Sequence, residues 1–130
     1  MDLKEMRDSV AQKHGKGKLH TFDFDDTLFK PIPKVWIEET VAKARESIQD
    51  PNTVTVLITG RKDQPKRRKD LEKLLADKGL KFDAVHMNGT KLETAEYKGQ
   101  KMEELQKQYP SATEIKSWEN DPESLAALEE

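Results

Sequence analysis

The sequence predicts an α/β domain: a mostly parallel sheet of about four strands with helices on both faces, a three-layer sandwich. Three observations carry that prediction. Extended apolar segments alternate with two-faced helical ones in a β-α-β-α-β-α-β-α rhythm, with no internal repeat or low-complexity tract. Thr53 to Ile58 is rich in β-branched residues and almost continuously apolar, as a strand covered on both faces must be. Polar clusters then stand directly after three of the extended segments: Asp23-Phe24-Asp25-Asp26-Thr27, Thr59-Gly60-Arg61 and Glu119-Asn120-Asp121. Right-handed crossovers bring the carboxyl ends of parallel strands to one edge, where open α/β sheets hold their ligands.

Taken in order, residues 2–13 space Leu3, Met6 and Val10 as a helical stripe among charges, then break at His14-Gly15-Lys16-Gly17-Lys18. Residues 1–18 therefore read as an N-terminal helix and linker, and 19–130 as the domain proper. Leu19 to Phe24 is extended and runs into the acidic loop. Pro31 and Pro33 delay the next helix, expected from about Lys34 to Ile48 with Val35, Trp36, Ile37, Val41, Ala44 and Ile48 toward the core. Asp50-Pro51-Asn52 is a turn before the buried strand. A helix from Gln64 to Lys78 turns Leu71, Leu74 and Leu75 inward and stops at Gly79. Phe82 to His86 forms a short third strand. A helix from about Thr94 to Gln108 ends before Pro110, a fourth strand covers Glu114 to Trp118, and Pro122 suits the first turn of a last helix reaching Leu128.

Composition narrows the possible functions. A chain of 130 residues holds one core and one active site. With 37% charged and 34% hydrophobic residues, that core must be thin. The 23 basic and 25 acidic residues nearly cancel, so net charge makes no case for nucleic acid or an anionic membrane, and any such case rests on local clusters. Absence of cysteine excludes disulfides and thiolate metal sites, which fits a reducing compartment. No apolar stretch approaches the roughly 20 residues of a membrane span, and Met1-Asp2-Leu3-Lys4-Glu5 lacks a signal-peptide core. The expectation is a cytoplasmic monomer.

The acidic loop carries the chemistry. Asp23, at the end of the first strand, is placed to attack a phosphorus atom as a covalent nucleophile. Asp25, two residues on, is placed to protonate the leaving alkoxide and then take a proton from water, which requires a pKa nearer neutrality than a free aspartate's. The plainer reading is that Asp23, Asp25 and Asp26 cap and turn the chain. A calcium loop is excluded, because Leu28 and Lys34 stand where its glycine and glutamate belong. Thr59 offers a hydroxyl to a phosphoryl oxygen, and Gly60 lets backbone approach closely; the same pair also makes an ordinary turn. Lys98, before Lys101 or Lys91, is the expected fixed cation. Glu119, Asn120 and Asp121 offer oxygen ligands to a hard cation, or a helix start capped by Asp121. The six positive charges in Arg61-Lys62-Asp63-Gln64-Pro65-Lys66-Arg67-Arg68-Lys69 either steer a polyanion or form a solvated face with Lys66 and Asp70 paired.

Together these residues resemble the haloacid dehalogenase (HAD) superfamily of phosphohydrolases. Asp23-Phe24-Asp25-Asp26-Thr27 is similar to its first motif, Asp-x-Asp-x-Thr, and Thr59 to its second. More narrowly, Phe22 to Phe29, then Pro31, Pro33 and Trp36, Leu57-Ile58-Thr59-Gly60-Arg61, Leu80-Lys81-Phe82-Asp83 and Thr94-Ala95-Glu96-Tyr97-Lys98 resemble the Swiss-army-knife RNA-repair-like branch. The resemblance implies a Rossmann-like core, with Asp23 as nucleophile, Asp25 as acid/base, Thr59 as phosphate ligand and Lys98 as the stabilising cation; Thr27, Gly60 and Arg61 beside them are the expected substrate-binding residues. It also implies Mg²⁺, held by Asp23, the backbone carbonyl of Asp25 and an acid of the fourth motif. There the branch reads aromatic-Glu-Asp-Arg, whereas this chain reads Trp118-Glu119-Asn120-Asp121. Either Asn120 ligates weakly, Glu119 or Asp121 takes over, or metal affinity is lost.

No segment between Leu28 and Trp36, or between Arg61 and Lys98, is long enough for a cap domain. An open site suits a phosphate on a large molecule, so RNA or DNA ends are the expected substrate. A HAD-like binding or regulatory module without efficient catalysis is the alternative, as is a phosphotransferase that differs in its acceptor.

Overall fold

The computed structural model describes residues 17–110 and 112–119. Strand β1 (Lys18–Phe22) is followed by a hairpin of β2 (Phe29–Lys30) and β3 (Val35–Trp36), then helix α1 (Glu38–Gln49). Strand β4 (Thr53–Lys62), helix α2 (Pro65–Lys78), strand β5 (Ala84–Asn88), helix α3 (Thr94–Gln108) and strand β6 (Glu114–Trp118) complete the described chain. The helices expected over 2–13 and 122–128 lie outside the described residues.

The main sheet runs β5-β4-β1-β6 and is parallel throughout. Alternation along β4 sorts the two faces. Val54, Val56 and Ile58 join Leu19 against Tyr97, Met102 and Leu105 of α3. Leu57 faces the other way with Phe22 and Met87, against Val41 and Ala44 of α1 and Leu71 and Leu75 of α2. Three layers result, as the sequence predicts. Because β4 and β6 flank β1, with Leu57 and Trp118 both in register with Phe22, the segments after these three strands meet at one edge.

Strand β1 ends at Phe22, two residues before the expected Phe24, and three further boundaries differ from expectation. The helix expected from Lys34 begins at Glu38, and Val35 is 45% exposed instead of buried. Val35 and Trp36 pair in antiparallel register with Lys30 and Phe29, and the Trp36 ring packs edge-on against Phe24 and Phe29. β-branched and aromatic side chains gain more from that hairpin than from another helical turn. Strand β4 runs on to Lys62 with a register shift after Thr59, so Thr59-Gly60-Arg61 lies in an irregular strand end instead of beyond it. Strand β5 starts two residues late because Asp83 is occupied otherwise: its N–H donates to Thr55 O at 2.8 Å, and its carboxylate accepts from Thr55 N at 2.8 Å.

Candidate active site

Asp23 is the first residue past β1, and its N–H donates to Trp118 O at 2.9 Å, which prolongs the β1–β6 pairing by one bond. The loop then folds tightly around Phe24. Its ring is fully buried in the core, and its carbonyl accepts from the N–H groups of Thr27, Leu28 and Phe29 at 3.3, 3.0 and 3.1 Å. Asp26 takes the left-handed conformation at φ 61°, which aspartate tolerates better than most residues. With Phe24 directed inward, Asp23 and Asp25 line the same cavity, about 340 Å³, together with Thr59, Gly60, Arg61, Thr94 and Lys98.

Both oxygens of Asp23 are engaged. Lys98 Nζ donates to Oδ1 at 2.7 Å and the Thr27 hydroxyl donates to Oδ2 at 3.2 Å. Lys98, only 2% exposed, also donates to Glu119 Oε2 at 2.6 Å. One ammonium thus sits between two carboxylates, and the buried cluster keeps an unbalanced negative charge when all three groups are ionised. Burial pushes the Asp23 carboxyl up to about 7; Lys98 pulls against that rise and Glu119 adds to it. Asp23 is only 7% exposed, whereas the Asp25 side chain is 34% exposed.

Asp25 instead forms a two-pronged ion pair with Arg61, with Nε to Oδ2 at 2.8 Å and Nη2 to Oδ1 at 2.7 Å. The guanidinium lies 4.9 Å from the centre of the Phe24 ring, which fixes its plane. Thr59 Oγ1 accepts the Arg61 N–H at 3.2 Å, which leaves its own proton to donate. Gly60 is required sterically: a Cβ there would overlap the Thr94 side chain. Helical i, i+4 spacing puts Thr94 and Lys98 on one face of α3, so Thr94 reaches the cavity as well. In the sequence it opens the Thr94-Ala95-Glu96-Tyr97-Lys98 segment, four residues before Lys98.

The structure therefore brings together Asp23, Asp25, Thr27, Thr59, Gly60, Arg61, Lys98 and Glu119. Asn120 and Asp121 lie outside the described residues. Lys101 turns away to Glu104 at 3.0 Å, which leaves Lys98 as the cation at Asp23. In the basic stretch, Arg68 pairs with Asp63 at 2.8 Å and with Glu72 at 3.9 Å, in place of the expected Lys66–Asp70 pair. Lys62, Lys66, Arg67 and Lys69 are exposed.

Among the described residues no three acidic or histidine side chains converge as a metal cage. Asp23 and Glu119 nevertheless supply two adjacent hard-oxygen donors with negative charge in excess, which fits a divalent cation that keeps most of its waters. No described helix is long and apolar enough to cross a membrane.

A search of curated proteins returned no match. A family model described as HAD domain family 1 in Swiss Army Knife RNA repair proteins matches residues 9–130. That span holds every strand and helix described and the whole pocket edge, so the chain belongs to the HAD phosphohydrolase superfamily, in this RNA-repair-associated family.

Proposed function

We propose that this domain is a Mg²⁺-dependent phosphomonoesterase that removes terminal phosphates from nucleic acid through an aspartyl-phosphate on Asp23. The observation that carries the reading is the setting of Asp23: a buried carboxylate at a strand end, oriented by Lys98 and Thr27, opening on a cavity that also holds Asp25 and Thr59. Asp23 attacks phosphorus as the ester oxygen leaves, and Asp25 gives that oxygen a proton. Water then attacks the phosphorus of the acyl phosphate while Asp25 takes its proton, which releases inorganic phosphate and restores Asp23. Lys98 and the Thr59 hydroxyl face the phosphoryl oxygens.

Both Asp25 oxygens are held by Arg61, so proton transfer requires the guanidinium to move from Asp25 to the incoming phosphate. Asp23, the backbone carbonyl of Asp25 and Glu119 are the described residues that would hold Mg²⁺, beside Asn120 and Asp121 next in the chain. When bound, the ion offsets the charge of the phosphoryl group and of the carboxylate approaching it. The open cavity edge and the exposed lysines of α2 favour a polyanion over a small metabolite.

Release of phosphate from a 3′-phosphorylated oligonucleotide, weakening with salt and lost in Asp23→Asn, is the expected result. Rapid turnover of small sugar or nucleotide phosphates with indifference to oligonucleotides would reject the substrate. The Arg61 clamp on Asp25 also favours a second reading, a binding module of low activity; Mg²⁺ titration with neither binding nor turnover across many phosphate esters would select it.

A further inference from the structure

Beside the catalytic cavity, and sharing Arg61 with it as a common wall, lies a second cavity of about 530 Å³ between the β2–β3 hairpin and α2. A phosphoryl group alone has no use for it. Its size falls in the roughly 300–1,000 Å³ range of small-ligand sites. Phe29, Pro31 and Leu74 give it an apolar floor, and exposed Lys34 and Lys73 flank it from the hairpin and the helix. Asp70 and Asp77, one turn to either side of Lys73 and Leu74, complete the helix wall.

We propose that this cavity is the leaving-group subsite, holding the nucleoside that carries the scissile phosphate, with Lys34 and Lys73 binding the neighbouring phosphates of the strand. The proposal rests on the function given above and adds where the rest of the substrate lies. An acidic or phosphorylated peptide would bring its charges against Asp70 and Asp77. A nucleoside is uncharged and offers hydroxyl and amino hydrogens to those carboxylates, while its strand phosphates stay outside with the lysines. Lys66 and Lys69 continue the same face of α2 at i−7 and i−4 from Lys73, so positive charge extends for roughly 10 Å along the helix at 1.5 Å per residue. Arg61 links the two cavities: moving from Asp25 to the phosphate brings the guanidinium onto the bond between phosphate and nucleoside.

The variant Lys34→Glu/Lys73→Glu tests this, because both side chains are exposed and neither touches the catalytic residues. Two readouts are needed: kcat/KM on an aryl phosphate and on a 3′-phosphorylated oligonucleotide, and anisotropy of the same oligonucleotide bound in chelator. Expected are a loss of about tenfold or more in oligonucleotide affinity and kcat/KM, a salt slope lower by about two, and aryl phosphate turnover within about twofold of wild type. Equal oligonucleotide binding by the two proteins, no binding by wild type, or an equal loss on the aryl phosphate would overturn the subsite. If wild type hydrolyses neither substrate, the proposed function fails, and the binding comparison still decides the subsite.

Discussion

Replacing Asp23 by Asn should stabilise the metal-free protein above neutral pH. In the fold the Asp23 carboxyl titrates at about 7, because burial outweighs the pull of Lys98 and Glu119 opposes it. In an unfolded chain an aspartate titrates at about 3.9. Between those values the folded state holds a proton that the unfolded state has lost, so stability falls as pH rises through the window and levels off above about 7. About three pKa units at 1.36 kcal/mol each give a cost on the order of 4 kcal/mol at pH 8. Asn keeps the shape without the charge and leaves Lys98 paired with Glu119. Allowing for relaxation of the pocket, the variant should gain about 2 kcal/mol at pH 8, roughly 5 °C or more in Tm, and far less at pH 5. Thermal unfolding of both proteins in chelator at the two pH values measures it. A variant that loses more stability at pH 8 than at pH 5 would show instead that the Lys98–Asp23 attraction outweighs burial.

Lys98→Met leaves Asp23 and Glu119 facing each other without their cation, and should cost about 3–5 kcal/mol at pH 8 as well as turnover, measured by denaturant titration and aryl phosphate assay. Gly60→Ala should destabilise by about 1–3 kcal/mol through overlap with Thr94, and Thr94→Ala should recover part of that loss in the double variant. Arg61→Lys keeps the charge but not the two-pronged fit, so KM for an aryl phosphate should rise about tenfold in steady-state kinetics. Chelator should abolish turnover and added Mg²⁺ should restore it.

The parts of this molecule legible in its sequence are those set by local pattern. Val54, Val56 and Ile58 alternate with Leu57 because β4 must fill two faces, and that alternation needs no partner to be read. Asp23 and Asp25 flank Phe24 two residues apart, so any inward turn of Phe24 sends both carboxylates to the same side. The β2–β3 hairpin was hidden because Val35 and Trp36 run directly into Ile37, which stands four and seven residues before Val41 and Ala44 on the helical stripe, and only contact with Phe24 and Phe29 decides against an earlier helix start. The Arg61–Asp25 pair was equally hidden. It depends on where the irregular end of β4 points a long side chain, and sequence gives no direction for that. Glu119 was one of three adjacent candidates, and its choice of Lys98 follows from where β6 ends beside β1.

Turnover by the proposed route passes through a phosphorylated Asp23. Acid-quenching the protein within a single turnover of a 3′-phosphorylated oligonucleotide, digesting it and weighing the peptides tests this directly. One added phosphoryl group is expected on the peptide containing Asp23, located on that residue, and none in Asp23→Asn. Turnover with that peptide unmodified, or with the phosphoryl group on another residue, would contradict that route.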